Sequence, residues 1–239
     1  MSFFGLFGSR KSPVEKHGAR VADKRAQAPD RWESIQALGA MKSADAVQAL
    51  LPRFTYYADP SITDQEEKDE AFRLIVETGE PAIDVVLAFL RRTDSLGWPL
   101  KLLDRLVPHD RVVTELLEVL GTMDTEYERD PSRKVQLLQA LEDRRDARIV
   151  EGVERFLEDV NETARFHATA ALFAQEDPSP AREAAQKALA AESSMRVRGR
   201  MLDGFSERGW EVGAERAKIE KALPPSFALD KAGVPRARS

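Results

Sequence analysis

Apolar residues recur at helical spacing along most of the chain, and the clearest case lies between Asp146 and Leu172. Ile149, Val153, Phe156 and Val160 fall at i, i+4, i+7 and i+11, Val150 and Leu157 widen the stripe, and Glu151, Glu154, Arg155 and Glu158 take the other faces. That period predicts an amphipathic helix. Asp159 to Thr163 breaks it with polar residues, of which Asn161 and Thr163 are both suited to cap the next helix. This second helix is predicted from Ala164, with Phe166, Ala170 and Phe173 on one face. Two short helices therefore meet at a tight corner. Stripes of this width are not buried by one helix alone and require stacked neighbours.

The same alternation runs from Arg31 to Leu223. Trp32, Ile35, Leu38 and Met41 form one stripe and Ala46, Val47, Leu50, Leu51 and Phe54 the next, with Gly39 to Asp45 as the turn. Phe72, Ile75, Val76 and Gly79 are answered by Ile83, Val86, Leu87 and Leu90 after Pro81, a residue tolerated in a first helical turn. Leu100, Leu103, Leu106 and Val107 precede Val112, Val113, Leu116, Leu117 and Leu120. Val135, Leu138 and Leu141 lead into the stretch above. Ala184, Ala185, Ala188 and Leu189 come after it, and a last pair runs from Val197, Met201, Leu202 and Phe205 to Val212, Ala217 and Ile219 before Pro224 and Pro225. First helices recur every ~28 to 36 residues, inside the range of two-helix repeats. The expected fold is all-α, an α-solenoid of about six stacked antiparallel helix pairs over 31–223. A mobile apolar and basic tail over 1–30, in which Val14 to Gln27 suits a terminal helix covering the first repeat, and a Pro-rich, basic tail over 224–239 are expected to flank it.

The run Asp146-x-Arg148-Ile149-Val150, the apolar helix after it, Asp159 with Arg165 six residues on, and then Ala168, Ala170 and Leu172 together resemble the HEAT repeat. The resemblance implies that Asp159 and Arg165 link neighbouring repeats in a ladder of hydrogen bonds. Glu192 and Arg198 echo that spacing at the next junction. It also implies that the second helix of each pair lines a concave face. Polar positions there include Asp84, Arg91, Arg92, Glu115, Glu118, Glu151, Glu154 and Glu158, so the expected groove is mostly acidic and suited to a basic segment of another protein.

Two links are longer than the rest, Thr55 to Thr63 and Gly121 to Ser132, and they fall on one edge of such a stack. They carry all three tyrosines, Tyr56, Tyr57 and Tyr127, with Trp98 opening the helix between them. Aromatics with a polar tip bury much area at low entropic cost, which suits a protein interface. The bland alternative is that Tyr56 and Tyr127 only pin their own loops.

Composition narrows the class. Hydrophobic residues make up 42% and charged residues 32%, with a net charge of -5, which fits a soluble helical protein and argues against nucleic acid as the main partner. Cysteine is absent, which removes disulfides, thiolate metal sites and Cys nucleophiles and suits a reducing cytosol. No apolar run is long enough to span a bilayer, and the opening MSFFGLFGSRK has its basic residues after its apolar ones, the reverse of a signal peptide. A cytoplasmic monomer is expected. Phe3, Phe4, Leu6 and Phe7, followed by a basic cluster, offer a weak membrane foot and hence an assembly factor acting through its tail. Ser2 stands where myristoylation needs glycine.

No chemistry declares itself. His17, His109 and His167 are scattered, without a second ligand at helical spacing, and no cofactor or metal is expected. The span Asp59 to Glu70 has Pro60 after its first oxygen ligand and Asp64 where a calcium loop turns on glycine. Gly5 and Gly8 lack the strand that precedes a nucleotide loop. HEAT-like DNA glycosylases use Trp, Asp and Arg on a basic concave face; Trp98, Asp104 and Arg91 are present here, but the expected face is acidic. HEAT-like bilin lyases share only the repeat. The expectation is a non-enzymatic scaffold that binds another protein.

Overall fold

The computed structural model describes residues 11–238. Phe3, Phe4, Leu6 and Phe7 lie outside the described residues. Among the described residues the chain is all-α apart from one short hairpin, and it divides into two compact units, Met1–Val112 and Val113–Ser239, with the boundary inside a helix.

Unit 1 contains α1 (Pro13–Ala22), α2 (Ala28–Ala40), α3 (Ala44–Leu50), α4 (Ser61–Thr78), α5 (Glu80–Arg92) and α6 (Gly97–Leu106), with a 3-10 turn at Leu51–Thr55. Consecutive helices pack as pairs, and alternate ones are neighbours: α2 lies against α4, α4 against α6, and α3 against α5. Ile35, Leu38, Leu50, Leu51, Ile75, Leu90 and Leu102 form the core, each at most 1% exposed. Trp32, expected to share their stripe, is 41% exposed. It lies at the edge of the buried arc of α2, which runs through Arg31, Ser34, Ile35 and Leu38, and lines a recess with Thr63 and Glu66 of α4.

Within the segment over 1–30, the terminal helix expected at Val14 to Gln27 is present as α1, from Pro13 to Ala22. Ser12 accepts a hydrogen bond from the Glu15 N–H, and the Glu15 carboxylate accepts one from the Ser12 N–H, a capping box with proline at the first helical position. The helix so started packs on α2 and α3 and buries Val21 completely, which covers apolar surface that the first pair would otherwise expose. The long link after α3 is shorter than expected, because α4 begins at Ser61.

Unit 2 contains the end of α7 (His109–Gly121), then α8 (Ser132–Glu142), α9 (Arg148–Glu154) with a 3-10 continuation at Arg155–Glu158, α10 (Glu162–Phe173), α11 (Arg182–Ala191) behind a 3-10 turn at Ser179–Ala181, α12 (Met195–Arg208) and α13 (Arg216–Lys221). Here α10 lies between α8 and α12, while α9 and its continuation lie against α11 and its leading turn. Asn161, not Thr163, caps α10, accepting the Ala164 N–H at 3.0 Å. The helix before it ends at Glu158, so Val160 falls in the link and is 54% exposed; it is not part of the apolar stripe.

The C-terminal segment is an ordered hairpin, not a tail. β1 (Phe227–Leu229) pairs antiparallel with β2 (Pro235–Ala237), and β2 lies against α12. Phe227 and Val234 are its buried apolar residues, and the Val212 N–H donates to the Gly233 carbonyl at 3.0 Å. Prolines at 224, 225 and 235 forbid a helix here, and Gly233, with φ of 89°, makes the turn.

Three glycines set how closely helices approach. A Cβ on Gly39 would stand 2.5 Å from Leu74, one on Gly152 would stand 2.5 Å from Leu117, and one on Gly204 would enter the ring of Phe173. Each marks a place where backbone meets a large side chain of a neighbouring helix.

Candidate functional site

Cationic side chains at the starts of α8, α10 and α12 tie the links of unit 2 together. Arg165 Nη1 donates to the Asp159 carbonyl at 2.8 Å, and its Nε and Nη2 donate to the Glu192 carboxylate at 2.7 and 2.9 Å. Arg198 repeats this, donating to the Glu192 carbonyl and, at 3.0 Å, to the Ala222 carbonyl. Asp159 does not send its carboxylate to Arg165. It takes Lys134 Nζ at 2.7 Å and the Asn161 N–H at 2.8 Å, while Lys134 also donates to the Asp124 carbonyl. Lys134 was legible in principle, because it stands at the start of α8 as Arg165 does at the start of α10. The Glu192 hydrogen bond raises the Arg165 guanidinium above its ordinary value. Burial would raise the Glu192 carboxyl, but Arg165 and the Ser194 N–H outweigh it and hold it low.

In unit 1 the same kind of link is built around two buried arginines. Arg31 donates to the Ala26 carbonyl and through Nε and Nη2 to Glu67 at 2.9 and 3.0 Å. Arg53, fully buried, donates to Glu67 at 2.7 Å and Asp64 at 2.8 Å. Burial pushes the Asp64 carboxyl up, and hydrogen bonds from Lys68, Arg53 and the Ala58 N–H bring it below the ordinary carboxylate range. Every charge in the cluster has a partner, which is the condition for tolerating it.

This cluster decides the roles of the aromatic residues. Tyr56 donates its hydroxyl to the Val21 carbonyl at 2.5 Å, with the Arg53 guanidinium 4.7 Å from its ring centre, so it pins the link to α1. Trp98 stacks on Phe54 at 4.9 Å and has Lys101 Nζ 4.6 Å from its ring. Tyr57 and Tyr127 are the exposed ones, at 57% and 82%. Among the described residues, the exposed large apolar side chains are Trp32, Tyr57, Ile62, Tyr127, Val160 and Met195. All six stand in the link before, or near the start of, α2, α4, α8, α10 or α12.

The acidic positions divide likewise. Glu115 is buried, correcting its place on the open face: it lies three residues after Val112 and four before Val119, inside the buried arc of α7. Glu118 on α7 and Arg91 at the end of α5 are exposed. Glu151 and Glu154 are brought together with Glu158 along α9 and its continuation, facing Glu183 and Lys187 of α11 across a groove of about 760 Å³. Leu157, Pro180 and Ala184 give it apolar ground. Arg155 also borders it, but its guanidinium donates to the carbonyls of Leu120, Gly121 and Met123, closing the C-terminal end of α7. Lys187 pairs with Glu183 at 2.9 Å and is held above its ordinary value first by that partner, then by Glu158 and Glu154. Glu151, Glu154 and Glu158 form no ion pair among the described residues. A second recess of about 450 Å³ continues past Leu157 and Glu158 to Val160, Arg165 and Glu192.

Among the described residues, no group of three or more His, Cys, Asp or Glu is placed to hold a metal ion, and no helix is long and apolar enough to cross a membrane. No family model matches the chain, and neither a curated protein nor a solved structure matches it.

Proposed function

We propose that the chain is a HEAT-like α-solenoid serving as a non-enzymatic, cytoplasmic scaffold, and that unit 2 takes a basic segment of another protein along its carboxylate groove. Support for the solenoid comes from helix pairs whose alternate members are neighbours and from link cations that reach the next link. The observation that carries the binding reading is the groove itself. Three glutamates, Glu151, Glu154 and Glu158, stand in one row with no ion-pair partner among the described residues, beside apolar ground from Leu157, Pro180 and Ala184. Such a wall attracts and steers a segment bearing Lys or Arg, and the attraction is screened by salt. Tyr127 and Tyr57 extend the reading to the link edge of each unit, where exposed apolar side chains collect.

The test is affinity capture from the native lysate with wild-type protein and with Glu151→Lys, Glu154→Lys and Glu158→Lys combined. The variant is expected to lose its basic partners, and the wild type to release them as salt rises from about 50 mM to about 300 mM. An identical set of captured proteins would sink the groove as the binding surface.

A further inference from the structure

Unit 1 holds a separate recess of about 520 Å³ between the start of α2 and the start of α4. Ala28, Pro29 and the ring of Trp32 line it from α2, Thr63 lines it from α4, and Glu33 and Glu66 carry its charge. Trp32 is exposed there, whereas Trp210 packs between Phe173 and Phe205 and Trp98 lies on Phe54. Other polar groups nearby are occupied: Glu67 accepts from Arg31 and Arg53, and Gln36 donates to Glu70. Glu33 and Glu66 are exposed and form no ion pair among the described residues. Of the cation–π contacts among the described residues, those of unit 1 fall on Tyr56, Tyr57 and Trp98, and none on Trp32.

An open indole face bordered by two carboxylates matches a cationic head on an apolar stem. The stem lies on Pro29 and the ring, and the head gains both the π face and the negative charge. A guanidinium fits better than an ammonium, because it is planar, stacks on an indole, and still directs N–H donors outward to carboxylates on either side. We infer that this recess receives an arginine side chain presented by a partner polypeptide. The site is independent of the groove in unit 2, and either can fail without the other.

The experiment uses the full chain labelled with 15N-tryptophan, whose three indole N–H signals are assigned with Trp32→Phe. The probe is a capped pentapeptide, glycine-leucine-arginine-leucine-glycine, against the same peptide with citrulline, which keeps the shape and removes the charge. The Trp32 signal is expected to move saturably with the arginine peptide, and about tenfold more weakly with citrulline or in Glu33→Gln combined with Glu66→Gln. Glu154→Gln combined with Glu158→Gln should leave that titration unchanged, which separates this recess from the groove. Equal shifts with the two peptides, or an unchanged titration in the Glu33 and Glu66 variant, overturn the guanidinium site. A Trp32 signal that moves on deletion of residues 1–10 alone assigns the recess to the chain's own leader and overturns the partner.

Discussion

Arg53 carries more of unit 1 than its place in a short 3-10 turn suggests. Its guanidinium joins Asp64 and Glu67 of α4 and shares Glu67 with Arg31 of α2, all four buried, and lies by the ring of the half-buried Tyr56. Removing it leaves carboxylates buried with too few cations, so Arg53→Leu is expected to cost ~3–5 kcal/mol, read as a lower urea midpoint. Tyr56→Phe, which loses one hydrogen bond to the Val21 carbonyl, should cost only ~0.5–1.5 kcal/mol in the same measurement. A Tyr56 variant as damaging as the Arg53 one would mean that the link depends on the tyrosine. The pinning role of Tyr56 was one of two readings open to the sequence, whereas the role of Arg53 was not visible at the level of residue type. An arginine near the end of a helical stripe reads as surface chemistry until its partners are known.

At the scale of one helix, α12 contains two glycines with opposite expectations. Gly199 has open space where a Cβ would stand, and Gly204 has the ring of Phe173 there. Gly199→Ala should therefore stabilise by about 0.5–1 kcal/mol through helix propensity. Gly204→Ala should destabilise by ~1–3 kcal/mol, because α10 and α12 must part to admit one methyl. Thermal melts of the two variants decide this, and shifts of the same sign would contradict the packing. Among the described residues, four helix starts carry a local signal, of which only that at Asn161 was read from the sequence. Ser12, Ser43, Asn161 and Ser194 all cap through their side chains. The end of the helix before Asn161 was not legible, since the period that runs through Ile149, Val153 and Phe156 continues in the sequence to Val160, after the backbone has left the helix.

At the scale of the whole molecule, both units rest on carboxylates held below their ordinary values, Asp64 in one and Glu192 in the other. The unfolded chain binds protons on these groups from about pH 4, while the folded chain resists. Their stabilisation is thus full above about pH 5 and is lost as pH falls through the lowered folded-state values. Urea midpoints should hold steady from about pH 7 to 5 and drop by about pH 3. Glu192→Gln should lower the midpoint at about pH 7 and flatten the acid limb; an unchanged acid limb would remove Glu192 from the account. The sequence by itself determined that the chain is helical and where the helix after Asn161 begins, because apolar period and capping residues are local properties. It also marked the surroundings of Asp159, Arg165, Glu192 and Arg198 as a recurring junction. Only the tertiary structure decided which carboxylate meets which cation, that Glu115 and Tyr56 turn inward, and that Trp32 turns outward. It also brought Glu183 opposite Glu151, Glu154 and Glu158. Those outcomes depend on which helices become neighbours, and a period of 3.6 residues fixes the face of a helix without naming what lies across from it.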